Sequence, residues 1–248
     1  MIKVMIVTGG SRGIGAATAR LAGRRGYHVC LSYNASEAQA RAVVDDIVRA
    51  GGRAIAVKAD MAREDDIKRL FETCDREFGP LDVLVNNAGI TGPVRRIADL
   101  DEATLRAVLD VNVVGYLLCA REAVRRMSTA RGGKGGAIVN VSSRAAALGG
   151  ATEWVHYAAS KGATDSLTIG LAREVGAEGI RVNAVRPGLI DTEIHAAAGV
   201  PDRLTRLVVG VPLGRPGTAE EVAETVLWLA SDQASYVSGA LVDVGGGR

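Results

Sequence analysis

The chain predicts an α/β fold: a doubly wound parallel sheet of about seven strands with helices on both faces. Three observations carry this. Short β-branched runs alternate with longer segments of helical period along all 248 residues. The runs are apolar almost throughout, as strands covered on both faces must be. The first run opens into a glycine-rich turn and then a helix, the order in which such sheets begin.

Taken in order, the first strand is read over residues 2–8 and enters Thr8-Gly9-Gly10-Ser11-Arg12-Gly13-Ile14-Gly15. Glycines allow the tight turn and let backbone N–H groups approach a pyrophosphate, whose charge the following helix N-terminus faces. The spacing is Gly9-x-x-x-Gly13-x-Gly15 rather than G-x-G-x-x-G. The second strand, 28–33, ends in Ser32-Tyr33-Asn34, where a site for NAD puts an acid on the ribose 2′-hydroxyl. Glu37 comes only later, in the next helix. With no carboxylate to repel a 2′-phosphate, and with Arg12 and Asn34 at hand, NADP(H) is favoured and NAD(H) left open.

Residues 36–50 form the next helix, with Val43, Val44, Ile47 and Val48 on one face, Ser36-x-x-Gln39 as a capping box and Gly51-Gly52 as the stop. The third strand, 54–57, is followed by a helix over 63–78 that aligns Ile67, Leu70, Phe71, Cys74 and Phe78. Further strands are read at 83–86, 137–142, 181–186 and 240–242, and Gly132-Gly133-Lys134-Gly135-Gly136 as a flexible connection. No composition shift divides the chain, so residues 1–248 are read as one domain. The irregular stretch 194–215, after a strand on the ligand side of the sheet, is the candidate lid.

Hydrophobic residues make up 48% of the chain but aromatics only 4%, so the core must be built from Ala, Val, Leu and Ile. A net charge of +2 argues against a nucleic-acid surface. Three cysteines, Cys30, Cys74 and Cys119, without CxxC spacing, read as buried small hydrophobes rather than disulfides or a metal site. The N-terminus lacks signal-peptide anatomy, and no uninterrupted apolar run reaches the ~18 residues a membrane helix needs. A cytoplasmic protein with no membrane partner is expected.

The chemistry concentrates in Tyr157-Ala158-Ala159-Ser160-Lys161. A phenol and an ammonium four positions apart share one helix face. A free tyrosine titrates near ~10, and a neighbouring lysine charge favours its phenolate. Upstream lies the serine pair Ser142-Ser143.

Together these residues resemble the short-chain dehydrogenase/reductase family in its single-domain Rossmann branch. The shared pattern is Thr8-Gly9-x-x-x-Gly13-Ile14-Gly15, Asp60, Asn86-Asn87-Ala88-Gly89, Asn112, Ser143, Tyr157-x-x-x-Lys161, Pro187-Gly188 and Thr192. It is similar to bacterial 3-oxoacyl-carrier-protein-reductase-like and sugar-dehydrogenase-like members. The resemblance implies an oxidoreductase that interconverts a carbonyl and a secondary alcohol, with Tyr157 as acid/base. Lys161 would hold the nicotinamide ribose, Ser143 the substrate oxygen, and Asn112 a water leading from Lys161 to solvent. Gly9, Ser11, Arg12, Gly13, Ile14 and Gly15 would take the pyrophosphate side. Asp60 and Met61 would meet adenine; Asn87, Ala88 and Gly89 the ribose; Pro187, Gly188, Ile190 and Thr192 the nicotinamide.

From Ser143 to Tyr157 there are fourteen positions, one more than the commonest family spacing. Residues 149–155 are expected to absorb the extra one. The offset keeps Ser142 in view beside Ser143, which is preferred. His156, His195, Arg144 and Trp154 flank the expected pocket with substrate-facing and structural readings both open. Ser160 is expected to bond its own helix, and His28 to be structural. The resemblance also implies a homotetramer, through residues 109–127 with 157–175 and through 236–247, whose Val237, Ala240, Val242 and Val244 offer an apolar edge. The alternative is a nucleotide-binding sensor or scaffold without catalysis, but such proteins tend to lose a catalytic residue and this chain keeps all four.

Overall fold

β1 (Val4–Val7) is wholly buried. Its Met5 and Val7 enter one apolar core, and Val4 and Ile6 enter the other. A strand with both faces covered has no place for a polar residue, which is why the run reads as unbroken Val, Met and Ile. The computed structural model describes residues 2–193 and 198–248.

After β1 come α1 (Gly13–Arg24), β2 (His28–Tyr33), α2 (Glu37–Arg49), β3 (Arg53–Lys58), α3 (Glu64–Phe78) and β4 (Val83–Asn86). α4 (Glu102–Leu109) passes through a π-helical turn, Asp110–Val114, into α5 (Gly115–Met127). β5 (Gly136–Val141), the single turn α6 (Ala145–Leu148), the long α7 (Val155–Val175) and β6 (Ile180–Pro187) follow. The described chain closes with α8 (Arg203–Leu207), α9 (Ala219–Ala230) and β7 (Leu241–Val244).

All seven strands pair in parallel in the order β3-β2-β1-β4-β5-β6-β7. The doubly wound sheet expected from the sequence is therefore present. One core packs α1, α2 and α9 on the sheet through Ala22, Val43, Ile47 and Leu227; the other packs α3 and α5 through Ile67, Leu70, Phe71 and Ala123. The order reverses between β1 and β4, and in such sheets that switch point opens a crevice at the carboxyl ends of the strands.

Several local expectations need correction. Ser36 precedes α2 but its side chain makes no cap bond; the reciprocal capping box is instead at Thr218 and Glu221, opening α9. Val48 is exposed, because α2 turns Ala40, Val43 and Ile47 inward and Val48 falls beyond that stripe. The Gly132–Gly136 connection is packed rather than loose. A Cβ at Gly133 would lie 2.4 Å from the Arg126 carbonyl, and one at Gly135 2.5 Å from that of Gly179. The candidate lid holds α8 and a short 3-10 turn, Val208–Gly210; His195 lies outside the described residues. The helical run Glu102–Met127 has the length and mean hydropathy, 1.4, of a membrane span. Its α5 part, however, buries Cys119, Ala123 and Met127 in the second core. All three cysteines are buried and free.

Candidate active site

A parallel sheet points every strand's carboxyl end the same way, so residues that follow strands meet on one rim. Gly9 follows β1, Asn34 β2, Asp60 β3, Asn87 β4, Ser143 β5 and Gly188 β6. Scattered in sequence, they share one edge.

The glycine turn is held from across the switch point. Thr8 Oγ1 accepts from the backbone N–H of Asn87 (2.9 Å) and Ala88 (3.0 Å). Asn87 Nδ2 donates back to the carbonyls of Thr8 (2.9 Å) and Gly9 (3.0 Å). Thr8 is thus a structural member of the site that its place in the motif alone did not single out. Ser32, buried at the end of β2, accepts from the Gly9 N–H at 3.0 Å. The glycines are required sterically. Gly9 has φ +64°, and a Cβ at Gly15 would stand 2.3 Å from the Gly9 carbonyl oxygen and 2.4 Å from Asn87 Nδ2. Arg12, the N-cap of α1, gives no side-chain cap, which leaves the first-turn N–H groups for an external anion. Gly13, at φ +51°, would bring a Cβ within 3.5 Å of Thr192, so the turn and the segment after β6 face each other. These features fit a dinucleotide phosphate.

Elsewhere on the rim, Asp60 accepts from the Ala62 N–H at 3.0 Å, and Met61 is buried with its sulfur 3.8 Å from that of Cys119. Arg12 and Asn34 are both exposed. Glu37 is engaged by Arg41 on its own helix at 2.6 Å. Ile190 is buried and bridges to Gly217; a Cβ on Gly188 would come within 2.6 Å of the Gly245 Cα.

α7 carries Tyr157 and Lys161 one turn apart on the face that meets β5. Lys161 is buried and donates to the Val141 carbonyl (2.6 Å) and the Tyr116 hydroxyl (3.2 Å). Its Nζ stands 5.8 Å from the centre of the Tyr157 ring. The sequence reading lets the lysine lower the tyrosine pKa. In this structure burial instead raises Tyr157 above its ordinary value, opposed by a hydrogen bond with Ser143 and by the charge of Arg203. Burial also pulls Lys161 down to about 7, with Asp165 opposing. The cause is desolvation: burial disfavours the ammonium, and the charge of Asp165 offsets that only in part.

The serine pair divides its labour. Ser142 is buried, with Oγ 2.5 Å from an Asp165 carboxylate oxygen and 3.2 Å from the Lys161 carbonyl. It fastens β5 to α7. Ser143 is left to face Tyr157, and its Oγ also accepts from the Ala145 N–H at 3.1 Å. The intervening loop turns through Gly149, Gly150 and Thr152, all at positive φ, before Trp154 opens α7.

Asn112 sits in the π-helical turn, which adds a residue to the helix and turns its side chain inward. Its amide donates to the Ile90 carbonyl (2.8 Å) and Ser160 Oγ (3.0 Å), and its oxygen accepts from the Ile90 N–H (2.9 Å). The side chain therefore contacts Ser160 rather than Lys161. Ser160 also donates to the Tyr157 carbonyl, as expected of a residue that bonds its own helix. Tyr116 was missed, although its position four residues after Asn112 was a usable signal. Its hydroxyl donates to the Val141 carbonyl at 3.0 Å.

The flanking residues resolve differently. Arg144 binds Asp243 (2.6 Å) and the Arg248 carbonyl (2.7 Å). His156 is buried with Nε2 at 2.8 Å from the Thr91 carbonyl, so that nitrogen carries the proton. Trp154 is buried and meets the Tyr157 ring edge-on at 6.4 Å.

The comparisons agree with this geometry. A family model described as enoyl-(acyl carrier protein) reductase matches residues 9–248. The Escherichia coli K12 protein named uncharacterized oxidoreductase YgfF is 50% identical over 247 residues, 100% of either chain. The cis-4-hydroxycyclohexanecarboxylate dehydrogenase of Sinomonas cyclohexanicum is 44% identical over 99% of this chain and 96% of its own. A short chain dehydrogenase from Burkholderia cenocepacia J2315, solved in complex with NADP, superposes with a TM-score of 0.91 at 34% identity, covering 99% of this chain and 97% of that one. With motif, fold and kinship in agreement over nearly the whole chain, the protein belongs to the short-chain dehydrogenase/reductase family of NAD(P)-dependent oxidoreductases.

Proposed function

We propose that this protein, one domain over residues 1–248, interconverts a small ketone and a secondary alcohol with NADP(H), using Tyr157 as acid/base. The observation that carries the reading is the buried Lys161 one helical turn from Tyr157 at the sheet rim, its Nζ 5.8 Å from the centre of the phenol ring and anchored on the Val141 carbonyl two residues before Ser143. The nicotinamide supplies or accepts the hydride. In reduction Tyr157, a neutral phenol at working pH, donates a proton to the carbonyl oxygen. Ser143 donates a hydrogen bond to the same oxygen as charge develops on it. Lys161 has one ammonium proton beyond those held by Val141 and Tyr116, and offers it to the nicotinamide ribose. Asn112 positions α7 through Ser160 and holds the Ile90 backbone, beside which a water joins Lys161 to solvent. Gly9, Ser11, Gly13, Ile14 and Gly15 hold the pyrophosphate, Asp60 and Met61 the adenine, Asn87, Ala88 and Gly89 the ribose, and Pro187, Gly188, Ile190 and Thr192 the nicotinamide. A catalytically silent scaffold gains no support from relatives named as an oxidoreductase and a dehydrogenase.

Purified protein assayed for NADPH oxidation against cyclic ketones, oxo acids and acyl thioesters tests the reading; turnover of none of them rejects it. Arg12 and Asn34, with no acid at the end of β2, support preference for NADP(H). A guanidinium–phosphate bond contributes about 1.5–3 kcal/mol, or about ten- to a hundredfold in affinity. Arg12→Ala should therefore weaken NADPH by that factor and NADH far less, as read by titration of nucleotide fluorescence. Equal loss for both nucleotides refutes the role.

Assembly is proposed to be a homotetramer. α5 leaves Leu117 exposed at a groove of about 280 Å³ lined also by Tyr116, Ala163 and Leu167, and α7 leaves Ile169 exposed. Gly162 and Gly170 face open space, which permits close helix approach. β7 ends the sheet with one edge unpaired. Light scattering at micromolar concentration should give four subunits; a stable, active monomer refutes this. Three free buried thiols suit a reducing cytoplasm.

A further inference from the structure

Beside Tyr157 the wall of the site is built from three segments that are distant in sequence. The Arg95 N–H donates to the Glu153 carbonyl at 3.1 Å. Glu153 and Trp154 lie just before α7, and α8 brings Arg203 and Arg206 over them. The Arg203 guanidinium lies on the Trp154 ring, 4.5 Å from its centre, and Trp154 in turn touches Tyr157 edge-on. An arginine is thus one aromatic ring away from the phenol. The Arg203 side chain is only 16% exposed.

Its hydrogen-bonding capacity is incompletely used. Arg203 Nε donates to Glu153 Oε2 at 2.9 Å, while Arg206 Nη2 reaches Glu153 Oε1 at 3.4 Å. One carboxylate serves two guanidiniums, and Arg206 takes a second, exposed partner in Asp202 at 3.2 Å. The Nη groups of Arg203 have no partner among the described residues. The indole N–H of Trp154, under the guanidinium, is buried and also lacks an acceptor among the described residues. Buried donors are normally satisfied. Here two kinds of unpartnered donor lie on the wall that carries Tyr157.

We propose that Arg203, stacked on Trp154, binds a carboxylate of the substrate, so that the enzyme acts on oxo acids and hydroxy acids whose carboxylate lies several bonds from the reacting carbon. The proposal rests on the oxidoreductase reading above and names its substrate class. The separation follows from the contacts: the guanidinium is 4.5 Å from the centre of the Trp154 ring and that centre is 6.4 Å from the centre of the phenol ring, so anion and carbinol are taken to be apart by about the width of a ring. A planar fork on an aromatic face matches a carboxylate with two parallel N–H···O bonds.

The test compares acids with their own methyl esters. Native enzyme with NADPH is given a cyclohexanone bearing a ring carboxylate, levulinate, the methyl ester of each, and unsubstituted cyclohexanone. The acid should exceed its ester in kcat/KM by about ten- to a hundredfold. In Arg203→Met, which keeps the stem on Trp154, the ratio should fall to near one; Arg203→Lys should retain part of it. Glu153→Gln, which releases Arg203 from its competitor, should lower KM for the acids. Thermal unfolding and NADPH titration establish that each variant is folded. Equal turnover of acid and ester by native enzyme overturns the proposal, as does an Arg203→Met variant that slows both alike. Reduction of cyclohexanone without preference for any acid sinks the substrate class and leaves the oxidoreductase reading standing. NADPH binding with no carbonyl reduced sinks both.

Discussion

Tyr157→Phe should lower turnover by about 10²–10⁴-fold, the usual contribution of a positioned acid or base. The substitution removes one oxygen. The ring keeps its edge contact with Trp154, and Ser143 keeps the Ala145 N–H. NADPH affinity and Tm should therefore hardly move, which separates a chemical loss from a folding defect. Near-normal turnover by the purified variant refutes the role. A pH signature accompanies it. Burial holds the Tyr157 hydroxyl above its ordinary pKa, so in the neutral range it is a phenol, ready to donate. Alcohol oxidation needs the phenolate and should climb about tenfold per pH unit below that pKa. Carbonyl reduction should stay nearly flat across the same range.

Lys161→Met should cost activity and yet stabilise the nucleotide-free protein. The lysine is 3% exposed, and burial lowers its pKa from 10.5 to about 7. Between those two values the unfolded chain holds a proton at this position that the folded chain does not. Stability therefore rises with pH from about 7 to 10.5, and below 7 this group adds no further slope. At neutral pH most of the cost of burying the ammonium is still present. Methionine fills similar space without charge, and Val141 keeps a donor in the Tyr116 hydroxyl. We expect a gain of about 1–4 kcal/mol at pH 7, by analogy with other buried charges replaced by apolar groups. That corresponds to about 2–4 °C in Tm per kcal/mol, with the pH slope above neutrality largely abolished. Turnover should fall at least about a hundredfold. Thermal melts from neutral to alkaline pH check the first part and NADPH oxidation the second. A less stable variant with the native slope would show that the ammonium is not desolvated.

The strands were legible because burial on both faces leaves no freedom of composition: β2 and β4 lie where the apolar runs do, and the other strands agree within two residues at either end. The rim was legible because each strand's last residue is followed at once by chemistry. What stayed hidden depends on partners far along the chain. Ser36 looks like a cap, but whether its hydroxyl bends back is decided by a backbone angle that composition does not encode. The π-turn that aims Asn112 inward adds one residue to a helix whose apolar period runs on through it, and the Gly115 that follows is explained equally well by its close approach to the Met61 carbonyl. The commitment of Arg144 to Asp243 spans a separation of 99 residues, and no local pattern announces it. Most of all, the electrostatics went the other way. Sequence spacing puts Lys161 beside Tyr157, but only the packed structure shows burial raising the phenol and lowering the ammonium.

The clasp of Thr8 on Asn87 and Ala88 also governs when the site comes into being. Its halves are about eighty residues apart, and β1 touches β4 only after β2, α2, β3 and α3 have been laid down between them. Parallel pairing of this kind closes a long loop before any contact rewards it. As the chain leaves the ribosome, β1 and β2 come together first, and their open flank waits for β4. In that interval Ser32 alone can hold the glycine turn and the Thr8–Asn87 half of the clasp is missing, so nucleotide should be a poor early template. We therefore expect nucleotide to slow unfolding more than it speeds folding, which unfolding and refolding rates with and without NADPH would check.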